Sequence, residues 1–197
     1  MEFQDLLARR RMVRRFVDED LPAGTVERIA RAAARAPSAG FSQGQRLVAV
    51  TTPALKRRVA AAVGEREHDG GPFGAWVGRC GAQFVPCVSE RLYHERYRQP
   101  DKVLPDGSEI EWPVPFWWMD VGCTVMLVLL AAVEEGLAAG FAGPGEGLAP
   151  LREALGIPDD HAPVGVIPVG RPLPDARSPS LRRGKVAEAD YLHLNGW

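Results

Sequence analysis

The chain has 197 residues, enough for one well-packed domain, and its 46% hydrophobic and 25% charged residues are ordinary for a globular protein. A formal net charge of −1 gives no global argument for nucleic acid or an anionic membrane as partner. Cys80, Cys87 and Cys123 have no CxxC spacing, which argues against a disulfide scaffold or a zinc site and fits a reducing cytoplasm; the acidic start MEFQDLLARR does not read as an export signal.

In chain order, residues 3–11 read as a short helix with Phe3, Leu6 and Leu7 on one face, running into the basic stretch RRRMVRR. Leu21-Pro22 opens a second helix in which Val26, Ile29, Ala30 and Ala33 keep helical spacing, and Pro37 ends it. APSAGFSQGQ, residues 36–45, is a loop by composition. Leu47 to Val50 is a strand, and Thr52-Pro53 starts a helix that reaches Val63. Residues 64–79 look irregular. Phe84 to Val88 reads as a strand that Pro86 demotes to an edge or a bulge. Residues 90–98 form a short helix and 99–115 a proline-rich loop.

The run from Phe116 to Phe141 then dominates the sequence. Val121 to Val133 carries no charge and is apolar on every side, so a helix there must be buried. With Asp120 on one flank and Glu134 and Glu135 on the other it falls short of the ~20 residues of a bilayer span. A central core helix over 117–136 is expected, with Asp120 acting on the helix dipole and Gly136 as its stop. Ala138 to Ala142 is a short strand. Leu148, Leu151 and Leu155 mark a helix closed by Gly156, Val164 to Val169 is a last strand, and the tail from Arg171 is polar and basic. Helices alternating with single short strands describe an α+β sandwich, a small sheet covered by helices.

Chemistry-bearing residues are few. The arginines of residues 9–16 suit a phosphate, because a guanidinium donates two parallel hydrogen bonds; a solvated helix end is the plainer reading. The small residues of 36–45 allow backbone amides to approach a ligand or simply make a turn. The four histidines show no metal-ligand spacing, and Glu65 and Glu67 with His68 form either a surface patch or an acid–base device. GxSxG, P-loop and GxGxxG motifs are missing from the sequence. Tyr93, Tyr97, Trp112, Phe116, Trp117 and Trp118 are either core packing or a lid over a flat ligand.

The order of these signals is more specific than any one of them. RRxxRxF is followed by APSxGxSQ and a strand, then by a long apolar helix with AAxxxGL, a short strand with glycine and a late VGRP. Over roughly residues 5–172 the chain resembles the nitroreductase superfamily of FMN-dependent oxidoreductases. The resemblance implies a three-layer α+β sandwich: a small mixed sheet flanked by helices around a long buried central helix, in one domain. It also implies a homodimer with FMN between the subunits. Residues 90–118 fall where the superfamily varies, as a lid carrying Tyr93, Tyr97 and Trp112, and residues 171–197 form a C-terminal extension.

Transferred position by position, the resemblance places Arg10, Arg11, Met12 and Arg14 at the FMN phosphate and ribityl chain. Met12 stands where serine is usual. Pro37, Ser38, Ala39, Phe41 and Gln43 match the loop that touches the flavin from the other subunit, with Phe41 replacing asparagine and Gly44-Gln45 replacing Pro-Trp. Phe141, Ala142 and Gly143 match the strand end that meets the flavin N5 edge, and Arg182, Arg183 or Lys185 would complete the phosphate site. The implied activity is ping-pong hydride transfer from NAD(P)H through FMN to a small planar acceptor such as a quinone or nitroaromatic, without a protein acid–base pair. Alternatives are a flavin- or deazaflavin-binding storage or sensor protein, and the branch that fragments FMN to dimethylbenzimidazole, whose usual aspartate is Met12 here.

Overall fold

The computed structural model describes residues 2–65, 75–145, 147–174 and 178–197. The helices are α1 (Phe3–Arg9), α2 (Thr25–Ala33), α3 (Pro53–Ala62), α4 (Glu90–Tyr97), α5 (Phe116–Glu134), α6 (Ala149–Leu155) and α7 (Glu188–Tyr191). The strands are β1 (Gln45–Val50), β2 (Ala82–Val88), β3 (Ala138–Ala139), β4 (Ala162–Pro163) and β5 (Ile167–Gly170). The sheet order is β1-β2-β5-β3, with β4 also on β2, and every strand pair is antiparallel. The expected mixed sheet reduces, among the described residues, to a single parallel bridge between Met12 and Ala139.

The three layers follow from the alternation of side chains along β2, all of whose residues are buried. Ala82 and Phe84 face a core built with Ile29 and Ala33 of α2 and Val128, Leu129 and Ala132 of α5. Val85 and Cys87 face the other way, against Val59 and Ala60 of α3 and Leu151 of α6. A strand covered on both faces needs a nearly continuous apolar run, and AQFVPCV supplies one apart from Gln83, whose buried side-chain amide donates to the Lys56 and Val77 carbonyls (2.9 and 2.8 Å).

Pro86 is not at an edge: β2 has β1 on one side and β4 and β5 on the other. The Pro86 carbonyl accepts from the Val164 amide (2.9 Å), so its missing N–H points to the same side, into the break between β4 and β5. No bond to β1 is lost there, which is why a proline is tolerated in the middle of the sheet. The last strand breaks at the same place, at Gly165 (φ 146°), instead of running unbroken from Val164.

The central helix ends as expected. Gly136 at φ 74° lets its own amide reach the Val133 carbonyl and the Leu137 amide reach the Ala132 carbonyl, a Schellman stop. Its burial is where expectation and structure part. Trp117, Val121, Thr124, Val128, Leu129, Ala132 and Val133 are buried, but Met119, Gly122, Cys123 and Met126 form an exposed stripe on the opposite face. By length and composition α5 is apolar enough to cross a membrane, yet its buried face is shared with α2 and the sheet, as in a core helix. α1 buries no residue, and its Phe3 and Leu7 are exposed.

Phe84 is fully buried at the contact of sheet, α2 and α5. Phe84→Ala is expected to destabilise the fold by about 3–5 kcal/mol in equilibrium urea unfolding.

Candidate functional site

Two regions carry the predicted site residues, and they lie at opposite ends of α5. In the first, the stretch after α1 runs beside the outer edge of β3. The Val13 amide donates to the Ala139 carbonyl (3.0 Å), Val13 and Phe16 are buried, Arg10 and Arg14 are half-buried, and Arg11 and Met12 are exposed. The Arg14 guanidinium lies 5.7 Å from the centroid of the Trp76 ring. Close approach is possible because residue 140 is glycine: a Cβ there would sit 2.5 Å from the Val13 carbonyl oxygen and 2.6 Å from the Trp76 ring.

The backbone beyond β3 alternates between its two sides. Gly140 donates inward to the Pro168 carbonyl (3.1 Å), and Ala142 exchanges both its hydrogen bonds with Val166 (2.8 Å each). The amides of Phe141 and Gly143 therefore point outward, to the edge along which Met12 and Val13 run. Of the expected strand end, the Ala142 N–H is thus already committed to the sheet, which leaves Phe141 and Gly143 as the outward donors. A Cβ on Gly143 would meet no atom within 4 Å, so the position is open. Arginines beside outward amides on one edge form a donor set that fits a phosphate and the polar rim of a flat cofactor.

The second region is the loop Pro37–Gln43. Asp120, in the first turns of α5, accepts from the Ala39 amide (2.8 Å) and the Tyr93 hydroxyl (2.8 Å) through one carboxylate oxygen. Its work is thus to pin a distant loop and α4 to α5, beyond any effect on the helix dipole. The Ser38 hydroxyl accepts from the Gln43 amide (2.9 Å), the Ser42 hydroxyl donates to the Ala39 carbonyl (2.6 Å), and Arg96 of α4 donates to the Gly40 carbonyl (2.9 Å). The result is a tight turn that holds Phe41 at φ 58° and Gln43 at φ 52°, conformations that side-chain-bearing residues rarely adopt. Phe41 is 76% exposed: an aromatic ring held out from a strained, fastened turn.

The aromatic segment is more closed than a simple lid. Tyr93 is fully buried, so it supports the loop from beneath and presents no face to a ligand. Trp112 is half-buried and lies against Tyr93, His94, Tyr97, Phe116 and Trp117 at centroid distances of 4.5 to 6.4 Å. Tyr97 packs on Gly40, where a Cβ would meet its ring at 2.6 Å. Glu109 ties the long loop to α4, accepting from the Trp112 indole (2.6 Å) and Arg98 (2.9 Å) and bonding to His94. Burial alone would lower the His94 pKa, but its bonds to Glu109 and Glu90 outweigh this and raise it. A groove of about 590 Å³ beside Trp117 and Trp118 is lined by charges that pair with one another, Arg91 with Asp160 and Glu95, His94 with Glu90.

Other candidates have structural roles. The Glu65 carboxylate accepts from the amides of Trp76, Val77 and Gly78 (2.6, 2.6 and 2.8 Å), so it clasps a turn and is no acid–base device; Glu67 and His68 lie outside the described residues. Burial pushes the Cys80 thiol up to about 12 and the Cys87 thiol up to about 11, which leaves both protonated and inert. Arg182 and Arg183 lie on a 3-10 turn, Pro179–Arg183, in the exposed tail. Sequence reasoning missed the pinning role of Asp120 and the hub at Glu109. The one signal for Asp120 was its position, a carboxylate inside a long run of apolar residues.

The nitroreductase family model matches residues 7–72 and 73–171. The chain belongs to the nitroreductase family. It is 27% identical over 205 residues to an iodotyrosine deiodinase of Nematostella vectensis, covering 97% of this chain and 75% of that one. It is 25% identical over 200 residues to a provisionally assigned NADH dehydrogenase/NAD(P)H nitroreductase of Methanothermobacter thermautotrophicus, covering 100% and 88%. Among solved structures, a provisionally assigned NAD(P)H:FMN oxidoreductase of Staphylococcus epidermidis superposes with a TM-score of 0.77 at 17% identity, over 98% of this chain and 95% of that one. The sandwich is therefore the nitroreductase fold.

Asp120→Ala would leave the Ala39 amide and the Tyr93 hydroxyl unpaired and is expected to cost about 2–4 kcal/mol in urea unfolding, with Asp120→Asn costing less because it keeps an acceptor. The Tyr93 hydroxyl pKa is raised by burial and then by the Asp120 carboxylate. A folded pKa above the unfolded one means that Tyr93 favours the fold fully below the ordinary tyrosine range. That contribution is lost as pH rises through and beyond about 10. Tyr93→Phe should flatten this alkaline fall in a pH series of melting temperatures.

Proposed function

We propose that this protein is an FMN-dependent oxidoreductase of the cytoplasm that uses NAD(P)H to reduce a small planar acceptor, working as a homodimer. The observation that carries the reading is the shared edge of the Arg10–Arg14 stretch and the outward amides beyond β3, in a chain of the nitroreductase family. Arg10 and Arg14, with Arg11 beside them and Arg182 or Arg183 from a tail, would hold the phosphate. The Gly143 amide would face the ring edge. FMN, when bound, would supply the redox chemistry between NAD(P)H and the acceptor, and the chain's own residues would bind, orient and exclude water. The names of the M. thermautotrophicus relative and the S. epidermidis structure support the reductant and the cofactor.

Two features support the dimer. The Asp120-bound loop belongs to the start of α5 and β3 follows its end, about 20 Å apart along the helix at 1.5 Å per residue. One flavin gripped by both regions takes them from two copies. The exposed stripe of Met119, Gly122 and Met126 gives those copies an apolar surface to share. In that arrangement Pro37, Ser38, Ala39, Phe41 and Gln43 come from the second subunit, and Tyr97 and Trp112 border the acceptor's approach. The deiodinase relative, similar over nearly the whole chain, favours one further reading, in which the acceptor is a halogenated phenol that loses its halide on reduction.

Arg14→Ala is expected to weaken FMN binding tenfold or more in a fluorescence-quenching titration, since each charge-assisted hydrogen bond contributes roughly 1.5–3 kcal/mol. Arg9→Ala should change it little, and equal affinity in wild type and Arg14→Ala overturns the phosphate assignment. Anaerobic NADH or NADPH should bleach the flavin-loaded protein, and double-reciprocal plots with a nitroaromatic or quinone should be parallel. Failure of both nucleotides to bleach overturns the reductase reading, whereas iodide release from 3-iodotyrosine selects the halogenated acceptor. Sedimentation of the flavin-loaded protein should show a dimer; a flavin-binding monomer overturns the shared site.

A further inference from the structure

Residues 99–115 leave α4 and return to α5, with Trp112 packed among the rings of Tyr93, Tyr97, Phe116 and Trp117. The far part of this segment is tied back to α4 through the Glu109 carboxylate. One of its oxygens accepts from the Trp112 indole (2.6 Å) and bonds to His94 Nδ1, and the other accepts from Arg98 (2.9 Å). His94 Nε2 lies 3.3 Å from Glu90, so one imidazole spans two carboxylates. His94 is 28% exposed and Glu109 16%, which shields their contact from water, whereas Arg98 is 66% exposed and makes the weaker tie.

An imidazole can serve two carboxylates only while it is protonated. The cation has two N–H donors; the neutral ring has one, and its other nitrogen presents a lone pair that a carboxylate repels. On losing its proton, His94 therefore gives up its bond to Glu109 or to Glu90. The charges facing His94 are Glu90, Arg91, Glu95 and Arg98 of its own helix, Glu109 of the segment, and Asp159 and Asp160 before β4, while α5 contributes the rings of Trp117 and Trp118. Arg91 is matched by Asp160 and Glu95, so it adds little positive charge against the imidazolium. Arg98 stays charged throughout the histidine range, so the pH-dependent part of the tie belongs to His94.

We propose that His94 and Glu109 form a pH-sensitive latch on the 99–115 segment, fastened by the imidazolium and loosened when its proton is lost. Burial opposes a charge on His94, but the bonds to Glu109 and Glu90 outweigh it and raise the pKa above the ordinary value of about 6.5. A folded pKa above the unfolded one leaves the latch fully fastened below about pH 6.5, and it loosens as pH rises through the folded value. The consequence for turnover rests on the functional reading above, in which Tyr97 and Trp112 border the acceptor's approach: a loosened segment frees Trp112 at that border.

The test follows the full-length protein by NMR from about pH 5.5 to 9, as wild type, His94→Gln and Glu109→Gln, with Trp112→Phe to assign the Trp112 indole signal. In wild type, His94 should titrate above about pH 6.5, and the Trp112 indole N–H should shift with the same midpoint. Protection of that N–H against exchange, relative to free tryptophan at each pH, should fall roughly five- to tenfold across the midpoint, the difference between a charged and a neutral hydrogen bond. Glu109→Gln keeps an acceptor for the indole and should lower the His94 pKa, and His94→Gln should show the weaker protection at every pH. A wild-type His94 pKa at or below about 6.5, a Trp112 signal that ignores the titration, or an unchanged His94 pKa in Glu109→Gln overturns the latch. These readouts need neither flavin nor turnover, so the latch and the functional reading can fail separately. In the FMN-loaded enzyme, the KM for a nitroaromatic should step with pH through the His94 midpoint in wild type and lose that step in His94→Gln. Equal pH profiles in the two overturn the link to the acceptor.

Discussion

A helix that is apolar on every side has to be covered on every side, and that constraint on α5 governs the molecule. One face is met within the chain by α2 and both ends of the sheet core. The other face, with Met119, Gly122, Cys123 and Met126, is left open. Water disfavours an open apolar stripe of this kind, and the exposed apolar residues of α1 add to it. The uncovered half of α5 and the separation of the two candidate half-sites thus have one geometric origin. In the dimer proposed above, the start and the end of the helix would be different parts of one site, and a second copy would answer both.

The second organising element is small. One oxygen of Asp120 holds Ala39 of the loop and Tyr93 of α4 to the same turn of α5. From that point the restraint spreads outward: Tyr93 packs against Gly44, Tyr97 against Gly40, and Arg96 reaches the Gly40 carbonyl. Each glycine is needed because the neighbouring ring occupies the place of its Cβ. The turn is thereby fixed tightly enough to hold Phe41 and Gln43 at positive φ, an arrangement that an unsupported loop would relax. Rigid support beneath an exposed ring is what a recognition surface requires.

The chemistry available to the protein alone is correspondingly modest. Its two buried thiols are held protonated, and Glu65 is consumed by three backbone amides. Among the described residues the first candidate region offers mainly donors: guanidiniums along one sheet edge and outward amides beyond β3. Donors bind and orient oxygen-rich ligands without themselves exchanging electrons, which is the division of labour expected when a cofactor carries the reaction.

Local signals in the sequence determined most of the elements. The Val121–Val133 run required a long apolar helix, without deciding how much of it this chain buries; Gly136 and Gly156 supplied its stop and that of α6, and Thr52-Pro53 marked the start of α3, because each of these depends only on near neighbours along the chain. The order of the RRxxRxF, APSxGxSQ and VGRP motifs also identified the family. What the sequence could not decide depended on partners far apart in the chain. Pro86 reads as an edge residue until the break between β4 and β5 is seen to lie on its N–H side. The Ala142 amide reads as free to meet a ligand until Val166 takes it, and Asp120 as a dipole partner until Ala39 and Tyr93 reach it across 81 and 27 residues. Periodicity tells which residues avoid water; only the folded chain decides which polar groups meet, because a hydrogen bond depends on position to within a few tenths of an ångström and direction to within some tens of degrees.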